Sequence, residues 1–172
     1  KDVTVKEIFK VLLDQTASKI EPVKSKIIAS KYNYHQLATL ASVIELEAIN
    51  ESDRAMVASV FYNRLKRGMS LGSDVTTYYG AGVDMAERDL YIQEINAKNA
   101  YNTRPASMAG KLPVGPICNP SISSIKAALE PATSDYLFFV ADNKGKVYFT
   151  KTNAEHEQII AKLKSQGLWE RY

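Results

Sequence analysis

The sequence holds one cysteine, Cys118, which excludes an internal disulfide and any multi-cysteine metal site. Its two histidines, His35 and His156, are far apart, and neither sits in a zinc-enzyme spacing, so no metal is expected. No apolar run approaches the length of a membrane span, and there are no internal repeats or low-complexity tracts. Excess charge is scarce too. The net charge is +3, the basic residues are spread out, and the aromatics do not interleave with a basic stripe, which argues against nucleic acid as a partner. What remains is a globular composition, 45% apolar and 24% charged, in a chain of 172 residues that can bury one core of ordinary size. The chain begins at Lys1 rather than Met and reads as a piece of a longer protein, so missing targeting segments say nothing about the whole.

The most informative stretch is His35 to Asn50, HQLATLASVIELEAIN, nearly all apolar until Glu45 and Glu47. At about 100° per residue these two acids cannot share a helix face. With Leu37 as zero, Glu47 falls at roughly 280°, inside the arc of Leu40, Val43 and Ile44. Glu45 falls at roughly 80°, on the side of Ala38, Ala41 and Ser42. A carboxylate among large aliphatic side chains is costly to ionise, so its pKa should rise. A carboxyl group still protonated near neutral pH suits general-acid catalysis. The competing reading has Glu47 turning out into water or pairing with Arg54 or Arg64. Glu45, on the more polar side, reads as structural.

Along the chain, residues 3–19 read as an amphipathic helix capped by Thr4, with a second helical piece over 22–30. After the central helix, Ser52 is expected to cap a helix over 53–67 that buries Met56, Val57, Val60, Phe61 and Leu65 and ends at Gly68. The short link between these two helices predicts an antiparallel hairpin, with the start of the second beside Glu47. Asn63 and Arg64 read as an ordinary solvated face. Residues 69–82, β-branched and aromatic between glycines, predict a strand or extended loop, in which Asp74 either caps a turn or contacts substrate. Residues 86–99 predict a helix. Residues 101–120, rich in proline and glycine, predict a long ordered loop forming a rigid cleft wall. Ser121 should cap a helix over 122–129, and residues 136–141 and 146–151 should form a hairpin about a turn at 142–145. Asn153 should cap a last helix, with His156 partly exposed in its first turn. The expected fold class is α+β, mainly helical with a small antiparallel sheet near the C-terminus.

Several separated motifs then carry a resemblance: ASVIELEA, SDRAMVASVFYNRLKRGMSLGSDVTTYYG, AYNT, LPVGPICNPSISSIKAALEP, and YLFFVA followed by GKVYFTKTNAEH. In this order they resemble the catalytic domain of the YceG-like family, the endolytic murein transglycosylases of bacteria, over roughly residues 35–160. The expected organisation is a helical segment over 1–34, linking from an upstream region, and a catalytic domain over 35–172 that carries the resemblance. The resemblance implies cleavage of the β-1,4 bond between N-acetylmuramic acid and N-acetylglucosamine, leaving a 1,6-anhydro end, on the outer face of the cytoplasmic membrane. The implied partners are peptidoglycan glycan strands and cell-wall synthesis proteins, with membrane attachment through an N-terminal anchor and with no cofactor. The second acid of the family's E-x-E motif falls on Glu47, the residue also chosen by the helical-face argument. Asn63, Asp74, Tyr101 and Asn102 are the positions from which polar support for the transition state is expected, and Glu45 is expected to brace the site. Two positions depart from the family pattern: Gly72 stands where Gln is usual, and Val147 where some members have His.

One carboxyl group suffices for this chemistry if the sugar's own 6-hydroxyl is the nucleophile, whereas glycosidases that use water normally need two. A hydrolase is the first alternative, with Asp74 as its second carboxylate. A non-catalytic glycan-binding module is the second, and its sign would be a salt-bridged Glu47. The catalytic reading expects the Glu47 carboxyl to line the principal cleft, near residues 72–79 and part of 101–120.

Overall fold

A computed structural model describes residues 3–48 and 50–169 of the chain. The fold is organised round one buried helix, α3 (Tyr34–Glu47), on which Leu37, Leu40, Ala41, Val43 and Ile44 are each 1% exposed or less. Asn33 starts it with a capping box: its side chain accepts from the Gln36 amide, and the Gln36 side chain accepts from the Asn33 amide. Ile49, in the stretch expected to continue this helix, lies outside the described residues. Burial runs nearly all round α3, so the side of Ala41 and Ser42 is as deeply covered as the aliphatic side. Small side chains let other chain segments approach there. The Ser42 hydroxyl donates to the Thr39 carbonyl and accepts from the Ile117 amide, which satisfies the buried loop.

The covering elements are α4 (Arg54–Lys66), α5 (Asp74–Ala81) and α7 (Ile122–Leu129), which bring Val57, Phe61, Val75, Ile125 and Ala128 into one core with α3. Burying each large aliphatic or aromatic side chain stabilises the fold by about 1.5–3 kcal/mol, so this cluster is the main source of stability. Ser121 caps α7 as the sequence predicts, its hydroxyl accepting from the Ser124 amide. Phe61 meets Phe139 edge-on at 5.9 Å, joining α4 to the C-terminal ribbon. That ribbon is a two-stranded antiparallel sheet, β1 (Phe138–Ala141) and β2 (Val147–Thr150), with Phe139 opposite Phe149. The last helix, α8 (Asn153–Ser165), packs on both strands, and its N-cap is Thr152 in a capping box with Glu155. The cap therefore falls one residue before the predicted Asn153.

At the N-terminus, α1 (Val5–Ile20) has no buried residue, while Val23 is buried just before α2 (Lys24–Ala29) and joins the main core. The mainly helical α+β fold is the one expected.

Three further expectations of local structure need correction. Residues 74–81 are helical, not extended. The Thr76 hydroxyl donates to the Ser73 carbonyl, so a β-branched residue serves the first turn of α5 where no partner strand is present. Residues 86–99 form only the single turn α6 (Ile92–Ile95). Ile92 is 73% exposed, so no apolar stripe stabilises a longer helix. Finally, Ser52 does not cap α4: a 3₁₀ turn over Glu51–Asp53 leads into it, and its first residue, Arg54, meets Glu45 instead of Glu47.

Candidate active site

Glu45 and Glu47 leave α3 on different sides and meet different chemistry. Glu45 faces Arg54 and the start of α7. Its Oε1 accepts from Arg54 at 2.8 Å, and its Oε2 accepts both the amide (2.8 Å) and the hydroxyl (2.6 Å) of Ser121. Burial pushes its pKa up, but the Ser121 hydrogen bonds and the Arg54 charge outweigh this and hold it below the usual carboxylate range. Ser124 Oγ lies near enough to influence Glu45 yet makes no hydrogen bond of good geometry. Glu45 thus ties α3, α4 and α7 together.

Glu47 faces the loop before α5. Among the described residues its one recorded hydrogen bond comes from the Ser73 hydroxyl, which donates to Oε1 at 2.5 Å. The residue as a whole keeps some exposed surface, whereas its carboxyl end is densely surrounded. The surroundings of the carboxyl atoms set its solvation. Burial raises its pKa, and the Ser73 hydrogen bond and the Arg64 and Arg104 charges offset only part of the rise. Neither arginine forms an ion pair with it. Arg64 donates Nε to the Leu137 carbonyl and Nη1 to the Leu71 carbonyl, and Arg104 pairs with Asp74. The salt-bridged Glu47 that would mark a non-catalytic module is therefore not what the structure contains.

The loop that presents Ser73 is fixed by its backbone. Gly72 has φ +63°, and its amide donates to the Thr103 carbonyl. A side chain there would start 3.1 Å from Arg64 Nη1 and in the left-handed region that favours glycine. Gly72, the departure from the family pattern, therefore fits a place where Arg64 passes close to the backbone.

The other predicted positions separate into distinct roles. Asn63 donates Nδ2 to the carbonyls of Ser134 and Tyr136, fastening α4 to the segment before β1. It is not the ordinary solvated face that spacing alone indicates. Asn102 is fully buried, and its Nδ2 donates to the carbonyls of Ile95 and Ala97, so it supports the loop and does not reach a ligand. Asp74 lies in the first turn of α5, exposed, against Arg104. Tyr101 meets Tyr79 edge-on at 4.7 Å, with Tyr79 half exposed, so this pair offers an aromatic surface. Val147, the second departure, is half-buried in β2 and pairs with Ala141.

Spacing did not single out Ser73, Arg104 or Thr103 as site residues. The available signal was the S-D-x-T-T run, an N-cap residue followed by hydroxyls, which marks a helix start and not the extended segment expected. Among the described residues, no three His, Cys, Asp or Glu side chains converge as a metal site. One concavity of about 440 Å³ lies between β2 and α8, lined by Tyr136, Phe149, Ile159 and Lys162. Another of about 390 Å³ lies beside the start of α3, lined by Tyr32, His35, Leu112 and Val114. Neither reaches Glu47, contrary to the expectation for the principal cleft. The acid sits instead between α3 and the Ser73 loop, near the partly exposed Arg104 and Asp74.

Comparison with known proteins identifies the family of the chain. A protein of Bacillus subtilis (strain 168) named endolytic murein transglycosylase is 43% identical over 161 residues, covering 94% of this chain and 43% of that protein. A protein of the same name from Streptococcus pneumoniae serotype 2 (strain D39) is 32% identical over 164 residues, covering 92% of this chain and 29% of its own length. The crystal structure of a yceG-like protein from Listeria monocytogenes matches with a TM-score of 0.82 at 38% identity, covering 92% of this chain and 50% of that one. The chain thus spans less than half the length of these two named relatives. The profile of the YceG-like family matches residues 1–162, and the chain belongs to that family.

Proposed function

We propose that this chain is the catalytic region of an endolytic lytic transglycosylase acting on peptidoglycan glycan strands. The observation that carries the proposal is Glu47: a carboxyl group with raised pKa, held by one hydroxyl and not neutralised by an ion pair. Such a group holds its proton longer than an ordinary carboxylate and can give it to a leaving oxygen. In the proposed reaction Glu47 protonates the glycosidic oxygen as the C1–O4 bond between N-acetylmuramic acid and N-acetylglucosamine breaks. The 6-hydroxyl oxygen of the same muramic residue then bonds to C1, and its proton passes to the Glu47 carboxylate. Water is neither consumed nor released, and Glu47 regains its proton.

The Arg64 and Arg104 charges favour the carboxylate that exists between the two proton transfers. Asp74, the natural candidate for activating water, is engaged with Arg104, which weakens the hydrolase alternative. The name carried by the relatives, endolytic murein transglycosylase, supports the same reaction class. Among the described residues no helix is long and apolar enough to cross a membrane. Our reading has the domain act outside the cytoplasmic membrane, held by an anchor beyond the described residues, with cell-wall synthesis proteins as partners.

The test is digestion of uncrosslinked glycan followed by analysis of chain ends. The expected products carry 1,6-anhydro ends and no new reducing ends. New reducing ends would overturn the proposal in favour of a hydrolase.

A further inference from the structure

Ser73 is held more firmly than a side chain that merely happens to touch an acid. Its amide donates to Thr103 Oγ1 at 3.1 Å, and its carbonyl accepts from Thr76 Oγ1 at 2.8 Å. The two threonine hydroxyls lie 2.8 Å apart. Each hydroxyl has one hydrogen. Thr76 uses its own on the Ser73 carbonyl, so Thr103 must donate to Thr76. The result is a closed ring running from the Ser73 amide through Thr103 and Thr76 back to the Ser73 carbonyl. Ser73, Thr76 and Thr103 are each 3% exposed or less, so water does not compete for these bonds. The ring fixes the Ser73 backbone at both of its polar groups and leaves only its hydroxyl to serve Glu47.

The direction of that last bond follows from the same count. Apart from Glu47 Oε1, the described residues show no recorded acceptor for the Ser73 hydroxyl hydrogen. Were the acidic proton on Oε1 and donated to Ser73, the serine hydrogen would be left buried without a partner, at a cost of about 1–3 kcal/mol. The serine therefore donates, Oε1 accepts, and the acidic proton belongs on Oε2. We infer that Ser73 is a positioning residue that makes Oε2 of Glu47 the proton-delivering oxygen and holds the carboxylate between the two proton transfers, with the Thr76–Thr103 ring keeping it aimed. The inference rests on the proposed role of Glu47 for its catalytic meaning. Its structural core, one defined hydrogen bond that favours the ionised carboxyl, is measurable without turnover.

The charged groups round Glu47 are Arg64 from α4 and Arg104 from the loop, with Asp74 of α5 engaged by Arg104. Burial lowers the pKa of His156 of α8 and the nearby Arg64 charge lowers it further, so it too must be followed in any titration. None of these is altered by Ser73→Ala. That variant removes a bond that favours the ionised form, so Glu47 should titrate at higher pH.

The experiment follows the Glu47 side-chain carboxyl carbon by NMR titration, in the wild type, Ser73→Ala, Ser73→Thr and Thr103→Val, beside the pH dependence of kcat and KM on glycan. Ser73→Ala should raise the Glu47 midpoint and lower kcat by about tenfold or more, with KM little changed. Ser73→Thr, which keeps the hydroxyl, should restore both. Thr103→Val, which opens the ring, should shift the midpoint in the same direction by a smaller amount. If Ser73→Ala does not fold, Thr103→Val is read in its place by the same titration. An unchanged Glu47 midpoint in the folded variants overturns the inference, as does a kcat loss that Ser73→Thr shares in full. If the midpoint shifts as described while the wild type leaves no anhydro ends, the positioning stands and the transglycosylase reading fails.

Discussion

Glu45 and Glu47 stand two residues apart on one helix, and the protein holds one as an anion while it hinders ionisation of the other. Glu45 receives Arg54 and two donors from Ser121. Glu47 receives a single serine hydroxyl at 2.5 Å, with two arginines nearby that are engaged elsewhere. Pairs of acids whose surroundings push their pKa values apart are a recurrent mark of divided roles, one group structural and the other reactive.

The first prediction is that Glu47→Gln abolishes turnover without harming the fold. The amide still accepts from Ser73 but cannot transfer a proton, so activity should fall by at least about 10²- to 10⁴-fold. Because the folded pKa of Glu47 lies above its unfolded value, its contribution to stability is present at low pH and is lost as pH rises through the folded pKa. Thermal melts across pH should show the variant equal to wild type in acid, gaining on it as pH rises from the unfolded to the folded pKa, and keeping a constant advantage above. A variant that melts well below wild type at neutral pH would contradict the assignment.

The second prediction concerns Glu45→Gln, where the sign reverses. The folded pKa is depressed, so the stabilising contribution is present above the unfolded value of about 4.5 and is lost as pH falls through the folded one. The Arg54 and Glu45 side chains are 14% and 21% exposed, which leaves the pair less screened than a surface ion pair. Losing these charge-assisted bonds should cost about 1–3 kcal/mol at neutral pH, towards the lower end because the site is partly open. Denaturant titration should show the difference at pH 7 and its disappearance in acid.

How much of this was legible beforehand follows from the reach of each signal. The α3 start, the Ser121 cap and the C-terminal hairpin rest on local spacing, which one sequence contains. The helical-face argument separated the two acids by a polar and an apolar side, yet α3 is buried on both. What separates them is the pairing of Glu45 with residues 9 and 76 positions away. Periodicity carries no information at that distance. The helix at 74–81 is hidden by its β-branched composition, because the hydroxyl bonding that starts it outweighs that preference. The Ser73–Thr103 contact, which shapes the candidate site, spans 30 positions and joins two segments read as independent loops.

The third prediction is that Asn63→Ala weakens the fold and not specifically the chemistry. Its Nδ2 serves the carbonyls of Ser134 and Tyr136, and removal leaves both without that donor. Each carbonyl left unsatisfied costs about 1–3 kcal/mol unless water reaches it, so a loss of that order is expected by chemical denaturation. Activity per folded molecule should stay within a few-fold of wild type. A hundredfold loss of kcat in a fully folded variant would instead place Asn63 against the substrate.

The fourth prediction is that Asp74→Asn leaves the reaction type unchanged. Asp74 is the carboxylate a hydrolase would use to activate water, and the two mechanisms make opposite demands on it. If Asp74 is the base, the amide cannot take a proton from water, and turnover should fall by about 10²-fold or more. If the 6-hydroxyl is the nucleophile, Asp74 serves mainly to engage Arg104 and to sit in the first turn of α5, where a negative charge is favoured. The variant should then retain activity within about tenfold, since an exposed ion pair contributes only about 0–1 kcal/mol. Its products should still carry 1,6-anhydro ends. Arg104, released from its counter-ion, should press harder on Glu47 and move that acid's titration down, opposite to the shift expected for Ser73→Ala. Product analysis and the Glu47 titration on the same sample separate the cases: reducing ends, or a hundredfold loss in kcat, would make Asp74 the second carboxylate of a hydrolase.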